Sequence, residues 1–137
     1  MFVDASAIVA ILTEEPDGTD LAAQLACADR RITNTLAIFE SVAAIFRVRR
    51  TTIDRAEAQV LAFVKAAAIE VLKIDQEDTS LALQAYGLYG RHRHPDDRRN
   101  RSLNLADCYH YASAKAHRQP ILTKDISFSE TEIPVCR

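Results

Sequence analysis

Hydrophobic and polar positions alternate along the chain in blocks that predict short strands separated by helices. The first block, Met1-Phe2-Val3-Asp4-Ala5-Ser6-Ala7-Ile8-Val9-Ala10-Ile11-Leu12, is apolar and broken once, by a carboxylate. Residues 1–3 read as a buried strand, and residues 6–14 as a helix that stops before Pro16. An Ala-rich helix follows over 17–28, then a short strand over 31–33. Leu36, Phe39, Ala43 and Phe46 recur at helical spacing and predict a helix over 36–49 with one apolar stripe. Glu40 borders that stripe.

The pattern continues with a helix over 51–68, an alternating strand over 70–74, and a helix from Asp75 to about Gly90. Residues 91–103 hold five arginines, two histidines and Pro95, which predicts a polar loop. A helix over 105–116 is apolar nearly all round and encloses Asp107. Residues 120–123 read as a strand, and 132–135 as a final edge strand. Strands separated by helical segments imply an α/β fold, a mostly parallel sheet with helices on both faces.

The 137 residues suit one domain, 1–137, and the 48% hydrophobic content suits a packed core. A formal net charge of -2 gives no global pull toward nucleic acid or membrane, so basic patches must be weighed locally. Cys27, Cys108 and Cys136 form neither a disulfide framework nor a zinc-thiolate spacing, which predicts a reducing, cytoplasmic setting. The opening apolar run lacks a basic leader and is too short to span a bilayer, so no membrane association is expected.

Four acids stand where an apolar element ends or turns a buried face: Asp4, Glu40, Asp107 and Asp125. Asp4 falls at the carboxyl end of a strand, the edge where open α/β sheets bind ligands. Converging carboxylates repel and raise one another's pKa unless a cation joins them. Mg²⁺ and Mn²⁺ accept carboxylate oxygens, and such a site can activate water and stabilise charge on a phosphodiester. Each acid also has a plain structural role open to it. Asp4 caps a helix, Asp107 completes a capping box with Asn104, Glu40 is solvated at a helix edge, and Asp125 occupies a turn. The four histidines, His92, His94, His110 and His117, show no ligand spacing with the acids, and surface or packing roles are expected for them. Tyr109 and Tyr111 are read as core or dimer-face residues.

The stretches Phe2–Leu12, Phe39-Glu40-Ser41, Leu103-Asn104-Leu105-Ala106-Asp107-Cys108 with Tyr111-Ala112, and Pro120-Ile121-Leu122-Thr123-Lys124-Asp125 together resemble the PIN-domain ribonucleases, and within them the VapC toxins of toxin–antitoxin pairs. The resemblance covers nearly the whole chain, in the family's order. It implies a three-layer α/β/α fold with an acidic pocket at the strand C-termini. It implies an endoribonuclease dependent on Mg²⁺, or on Mn²⁺ in its place, that cuts structured RNA such as a tRNA or rRNA loop. Asp4, Asp107 and Glu40 would hold the metal, Asp125 would complete the pocket, and Ser6 would orient Asp4 or a water. A cognate antitoxin would cover the acidic groove, and the chain would form a homodimer. Ala106 stands where relatives often carry Gly, and the acids of the Gly-Asp-Asp-Phe variant are missing after Asp125. The basic loop has two readings, an RNA contact through Arg98, Arg99 and Arg101 or a solvated loop offset by Asp96 and Asp97. The alternative function is a non-catalytic PIN-like module that binds RNA or protein. A haloacid-dehalogenase-like phosphotransferase needs a second acid where Ser6 stands, and the acid pair of a receiver domain is missing.

Overall fold

A computed structural model describes residues 1–137. Five short strands, β1 (Phe2–Val3), β2 (Ile32–Asn34), β3 (Glu70–Leu72), β4 (Ile121–Leu122) and β5 (Val135–Cys136), form one sheet in the order β3-β2-β1-β4-β5. Every pairing is parallel. All five carboxyl ends therefore open on one edge. Six α-helices connect and cover them: α1 (Ala5–Leu12), α2 (Gly18–Ala26), α3 (Thr35–Arg49), α4 (Ile53–Ala66), α5 (Gln76–Tyr89) and α6 (Leu105–Ala116). None is long and apolar enough to cross a membrane.

Strand alternation divides the core into two layers. Phe2, Ile32 and Ile121 share one face and pack with Ala82, Ala85, Cys108, Tyr111 and Ala112 of α5 and α6. Val3 and Leu122 turn the other way, onto Ile8, Leu21, Ile45, Val60 and Val64 from α1 to α4. The result is the expected three-layer α/β/α arrangement. Polar groups inside it are paired: Thr33 donates to the Val3 carbonyl at 2.8 Å, and Asn34 donates to Ser113 Oγ at 3.0 Å while capping α3.

Local sequence explains where elements begin. Asp75 and Asp78 close a capping box on α5, Thr52 caps α4, and Asn104 and Asp107 close a second box on α6. Residues 91–103, expected as loop, carry two 3-10 turns, Arg91–Arg93 and Asp96–Arg101. The last strand lies at Val135–Cys136 rather than 132–135. Glu132 instead fastens the approach to it, accepting from Tyr89 Oη at 2.6 Å, Lys115 Nζ at 2.8 Å and Tyr111 Oη.

The stripe read on α3 does not face the core. Its buried positions are Ala37, Ser41 and Ile45, while Phe39 is 70% exposed and Phe46 is also exposed. Small residues at i and i+4 let this helix approach the sheet closely, and the Ser41 hydroxyl is absorbed by the Ala37 carbonyl at 2.7 Å. The large apolar side chains line an open groove against α4, with Ile38, Val42 and Ile53.

Candidate active site

Asp4 follows β1 directly and caps α1, accepting from the Ser6 backbone N–H at 3.3 Å. The parallel pairing of β1 with β4 brings residues 123–125 alongside it. Thr123 Oγ1 donates to Asp4 Oδ2 at 2.7 Å, and the Ser6 hydroxyl donates to the same oxygen. Both hydroxyls are themselves fixed. Lys124 N–H donates to Ser6 Oγ and Asp125 N–H to Thr123 Oγ1, each at 2.9 Å. Two chain segments far apart in sequence thus lock one carboxylate.

Asp107 sits one turn into α6, its Oδ2 accepting from Asn104 N–H at 2.8 Å. Glu40 projects from α3 with its side chain 35% exposed. Asp125 caps the 3-10 turn Ile126–Glu130 through Ser127 N–H at 2.8 Å. Asp4, Ser6, Glu40, Asp107 and Asp125 all line one open cleft of about 390 Å³, together with Glu15, Arg47, Asn104 and Lys124. The five expected site residues therefore come together at the carboxyl edge of the sheet. Three of the structural roles considered for them also hold: Asp4 and Asp107 are caps, and Asp125 stands at a turn, which it also caps.

The electrostatics separate these acids. Burial alone would raise the pKa of Asp4, but His110 and the hydroxyls of Ser6 and Thr123 outweigh it and hold the group below its ordinary value. Asp107 has no such donors beyond its cap. Burial, with the charges of Asp125 and Asp4 behind it, pushes its pKa up to about 7. Glu40 is raised by burial and by Asp4 and Asp125, against the opposing pull of His110.

His110, expected to pack or face solvent, is the residue the sequence concealed. It is fully buried behind the cleft, with Nδ1 3.0 Å from Asp4 Oδ1 and Nε2 3.4 Å from Glu40 Oε2. Both contacts are ionic in distance but off the line of a good hydrogen bond, and neither nitrogen has another partner. Burial would lower its pKa; Asp4, Glu40 and Asp107 reverse that and raise it. Its one signal in the sequence is its place three residues after Asp107, on the same helix face. Thr123 had a clearer signal, as part of the Thr123-Lys124-Asp125 run.

The donor chemistry suits a hard divalent cation. Carboxylate oxygens dominate the cleft, and neither a thiol nor an imidazole lines it. No three acidic, His or Cys side chains stand ready as a closed cage. The expected ligands Asp4, Glu40 and Asp107 are instead spread around the cleft, with Asp4 Oδ2 held by two hydroxyls, Asp4 Oδ1 against His110 and one oxygen of Asp107 engaged by its cap. Mg²⁺ tolerates this, because it is usually held by one or two carboxylates and keeps several waters.

The basic segment lies outside this cleft. Arg99 pairs with Asp96, and Arg101 with Glu130 at 3.0 Å, whereas Arg98 makes no ion pair. Lys124 at the cleft rim is held by Glu15 and by Asp17 at 2.9 Å. Arg47 is exposed and borders both the cleft and the α3–α4 groove.

A PIN-domain family model matches residues 1–134. A VapC ribonuclease of Rhizobium meliloti is 35% identical over 96% of this chain and 98% of its own length. Ribonuclease VapC30 of Mycobacterium tuberculosis is 30% identical over 97% of this chain and 95% of its own. Among solved structures, VapBC-1 of nontypeable Haemophilus influenzae superposes with a TM-score of 0.73 at 11% identity, covering 98% of this chain and 95% of that one. Mycobacterium tuberculosis VapC20, described as a Sarcin-Ricin loop cleaving toxin, gives 0.68 at 17% identity over 96% and 95%. The structural matches establish the fold, and the sequence matches go further: this chain belongs to the PIN-domain family, among the VapC ribonucleases, whose RNA hydrolysis generally depends on a divalent metal.

Proposed function

We propose that this chain is a single-domain, Mg²⁺-dependent endoribonuclease toxin that cuts structured RNA at a loop, with Mn²⁺ able to replace Mg²⁺. The observation that carries it is the convergence of Asp4, Glu40, Asp107 and Asp125, from four separate segments, on one open cleft. Asp4, Glu40 and Asp107 would hold the cation. When bound, it supplies the Lewis acidity that makes water a nucleophile at neutral pH and offsets charge building on the phosphodiester.

The chain's own groups do the rest. Ser6 and Thr123 hold Asp4 in one rotamer through their two bonds to its Oδ2. Asp107 is fixed at the start of α6 by its cap and lines the cleft, leaving its remaining oxygen without a partner in the chain. Asp125 also lines the cleft and adds negative charge that favours the cation. Arg47, exposed at the rim, is placed to receive a phosphate of the RNA backbone. Arg98, without an acidic partner, is a better candidate for a second phosphate contact than Arg99 or Arg101, which already have one. The open cleft admits a strand that loops outward, which a duplex does not offer.

An antitoxin belongs to this reading. Structural neighbours include toxin–antitoxin complexes from Haemophilus influenzae and Klebsiella pneumoniae. The apolar α3–α4 groove adjoins the acidic cleft through the shared Glu40 and Arg47, so one bound segment would cover both. A homodimer in the cytoplasm completes the proposal, and sedimentation of the purified protein tests the dimer.

The deciding experiment exposes a total small-RNA pool to the purified protein with Mg²⁺ or Mn²⁺, with EDTA, and beside Asp107→Asn. Discrete fragments that require both the metal and Asp107 support the proposal, and end-mapping identifies the RNA. Intact RNA with well-folded, antitoxin-free protein would favour the binding-module alternative.

A further inference from the structure

His110 is a buried titratable side chain at the cleft for which the hydrolytic chemistry above has no use. Its ring is wholly enclosed, yet no backbone carbonyl or hydroxyl takes either nitrogen. A histidine that merely fills a core would be expected to satisfy at least one nitrogen locally, because an unpaired buried polar atom is costly. Here both nitrogens face acids of the cleft, Asp4 at 3.0 Å on one side and Glu40 at 3.4 Å on the other. The flank of the ring rests on Phe2, itself fully buried, with centroids 5.4 Å apart at 35°. The backbone that carries it is α6, one turn beyond Asp107. One rigid plane thus links three separate segments: the end of β1 through Asp4, α3 through Glu40, and α6 itself.

We propose that His110 is a positioning residue, an imidazole wedged behind the cleft that holds the Asp4 and Glu40 carboxylates in the spacing and orientation in which they receive a divalent cation. The proposal rests on the cleft being a metal site. The ring does not line the cleft, so it acts through the two acids and not on the substrate. Glu40 needs such support most. It is long and partly exposed, and no hydrogen bond restrains its carboxylate apart from this ionic contact, whereas Asp4 is also held by two hydroxyls. A side chain of similar volume that cannot contact the acids would leave Glu40 free to turn into solvent. Partners of metal-binding side chains at this remove typically change metal affinity by roughly 10–100-fold when removed.

The test uses the full chain as His110→Phe, His110→Gln and His110→Ala, with Mn²⁺ as the probe. Bound Mn²⁺ is counted by electron paramagnetic resonance, without RNA, and folding is checked by circular dichroism in EDTA. The Phe variant should bind Mn²⁺ about 10–100-fold more weakly, and Gln, which keeps one donor, should recover part of the loss. On RNA at saturating Mn²⁺, kcat should fall while KM stays within about twofold, because the substrate contacts are elsewhere. Should the Phe variant not fold, Ala against Gln makes the same comparison: weaker Mn²⁺ binding by Ala than by Gln supports the proposal. Variants that bind Mn²⁺ as tightly as the parent, or more tightly, overturn the positioning role and leave the metal site standing. A parent protein that binds no Mn²⁺ overturns the metal-site reading and this proposal with it.

Discussion

Replacing Asp107 by Asn should stabilise the metal-free protein while destroying its activity. Asp107 is 6% exposed, and burial pushes its pKa from 3.8 to about 7. A folded pKa raised above the unfolded one means that folding becomes less favourable as pH rises through that interval. The penalty is small near pH 4, grows between pH 4 and 7, and is complete above 7. Three units at 1.36 kcal/mol each set a ceiling of about 4 kcal/mol, of which about 1–3 kcal/mol should be recovered in a real, relaxing site. Asn keeps the acceptor that Asn104 N–H needs, so the capping box survives. For a chain of this length, each kcal/mol corresponds to about 3–5 °C in Tm. Thermal melts in EDTA at pH 8 should therefore place the variant several degrees above the parent. At pH 4.5 the advantage should shrink to roughly a quarter. Adding Mn²⁺ should raise the parent's Tm more than the variant's, since the parent alone keeps the full ligand set. A variant no more stable than the parent at pH 8, or an advantage that ignores pH, would refute the account of Asp107 as a destabilising acid held in place for chemistry.

Other substitutions probe the remaining parts. Asp4→Asn should abolish RNA cleavage and, unlike Asp107→Asn, lower the Tm in EDTA, because Asp4 is held ionised by His110, Ser6 and Thr123; calorimetry beside a cleavage assay separates the two. Arg98→Ala with Arg99→Ala should weaken RNA binding and reduce the slope of log K against log salt by about 0.7 for each phosphate that is no longer neutralised, and an unchanged slope would make the segment a solvated loop. Phe39→Glu should weaken antitoxin binding at least tenfold with little effect on Tm, because the ring is already exposed; isothermal titration measures it. Gly18→Ala should cost about 1–3 kcal/mol in urea unfolding, since a Cβ there would stand 2.7 Å from the Ala10 carbonyl oxygen, where α2 crosses α1.

The acids are legible in the sequence because each interrupts an apolar element, and for three of them that interruption survives as a cap. Asp4, Asp107 and Asp125 are ambiguous between capping and function, and the fold shows why the ambiguity is real. A helix N-terminus at the carboxyl edge of a parallel sheet must be capped there, and a capping carboxylate there also faces the cleft. The α3 stripe misleads because periodicity reports polarity and not size. Ala37, Ser41 and Ile45 form a second row at the same period, and close packing on the sheet selects the smaller row. His110 is illegible for another reason. Its partners are 106 and 70 residues away, and no local spacing encodes a contact between elements that only the fold brings together.

The order of the strands has a consequence for synthesis. Asp4 leaves the ribosome on what becomes the central strand, yet Thr123 and β4, which fix it, follow only after a separation of 119 residues between Asp4 and Thr123. At about 5–20 residues per second that gap lasts on the order of ten seconds. Throughout it the nascent chain carries its first acid without the neighbours that make it part of a site. The site is therefore assembled only once β4 and Thr123 have appeared, and a chain broken off before Thr123 is left without it.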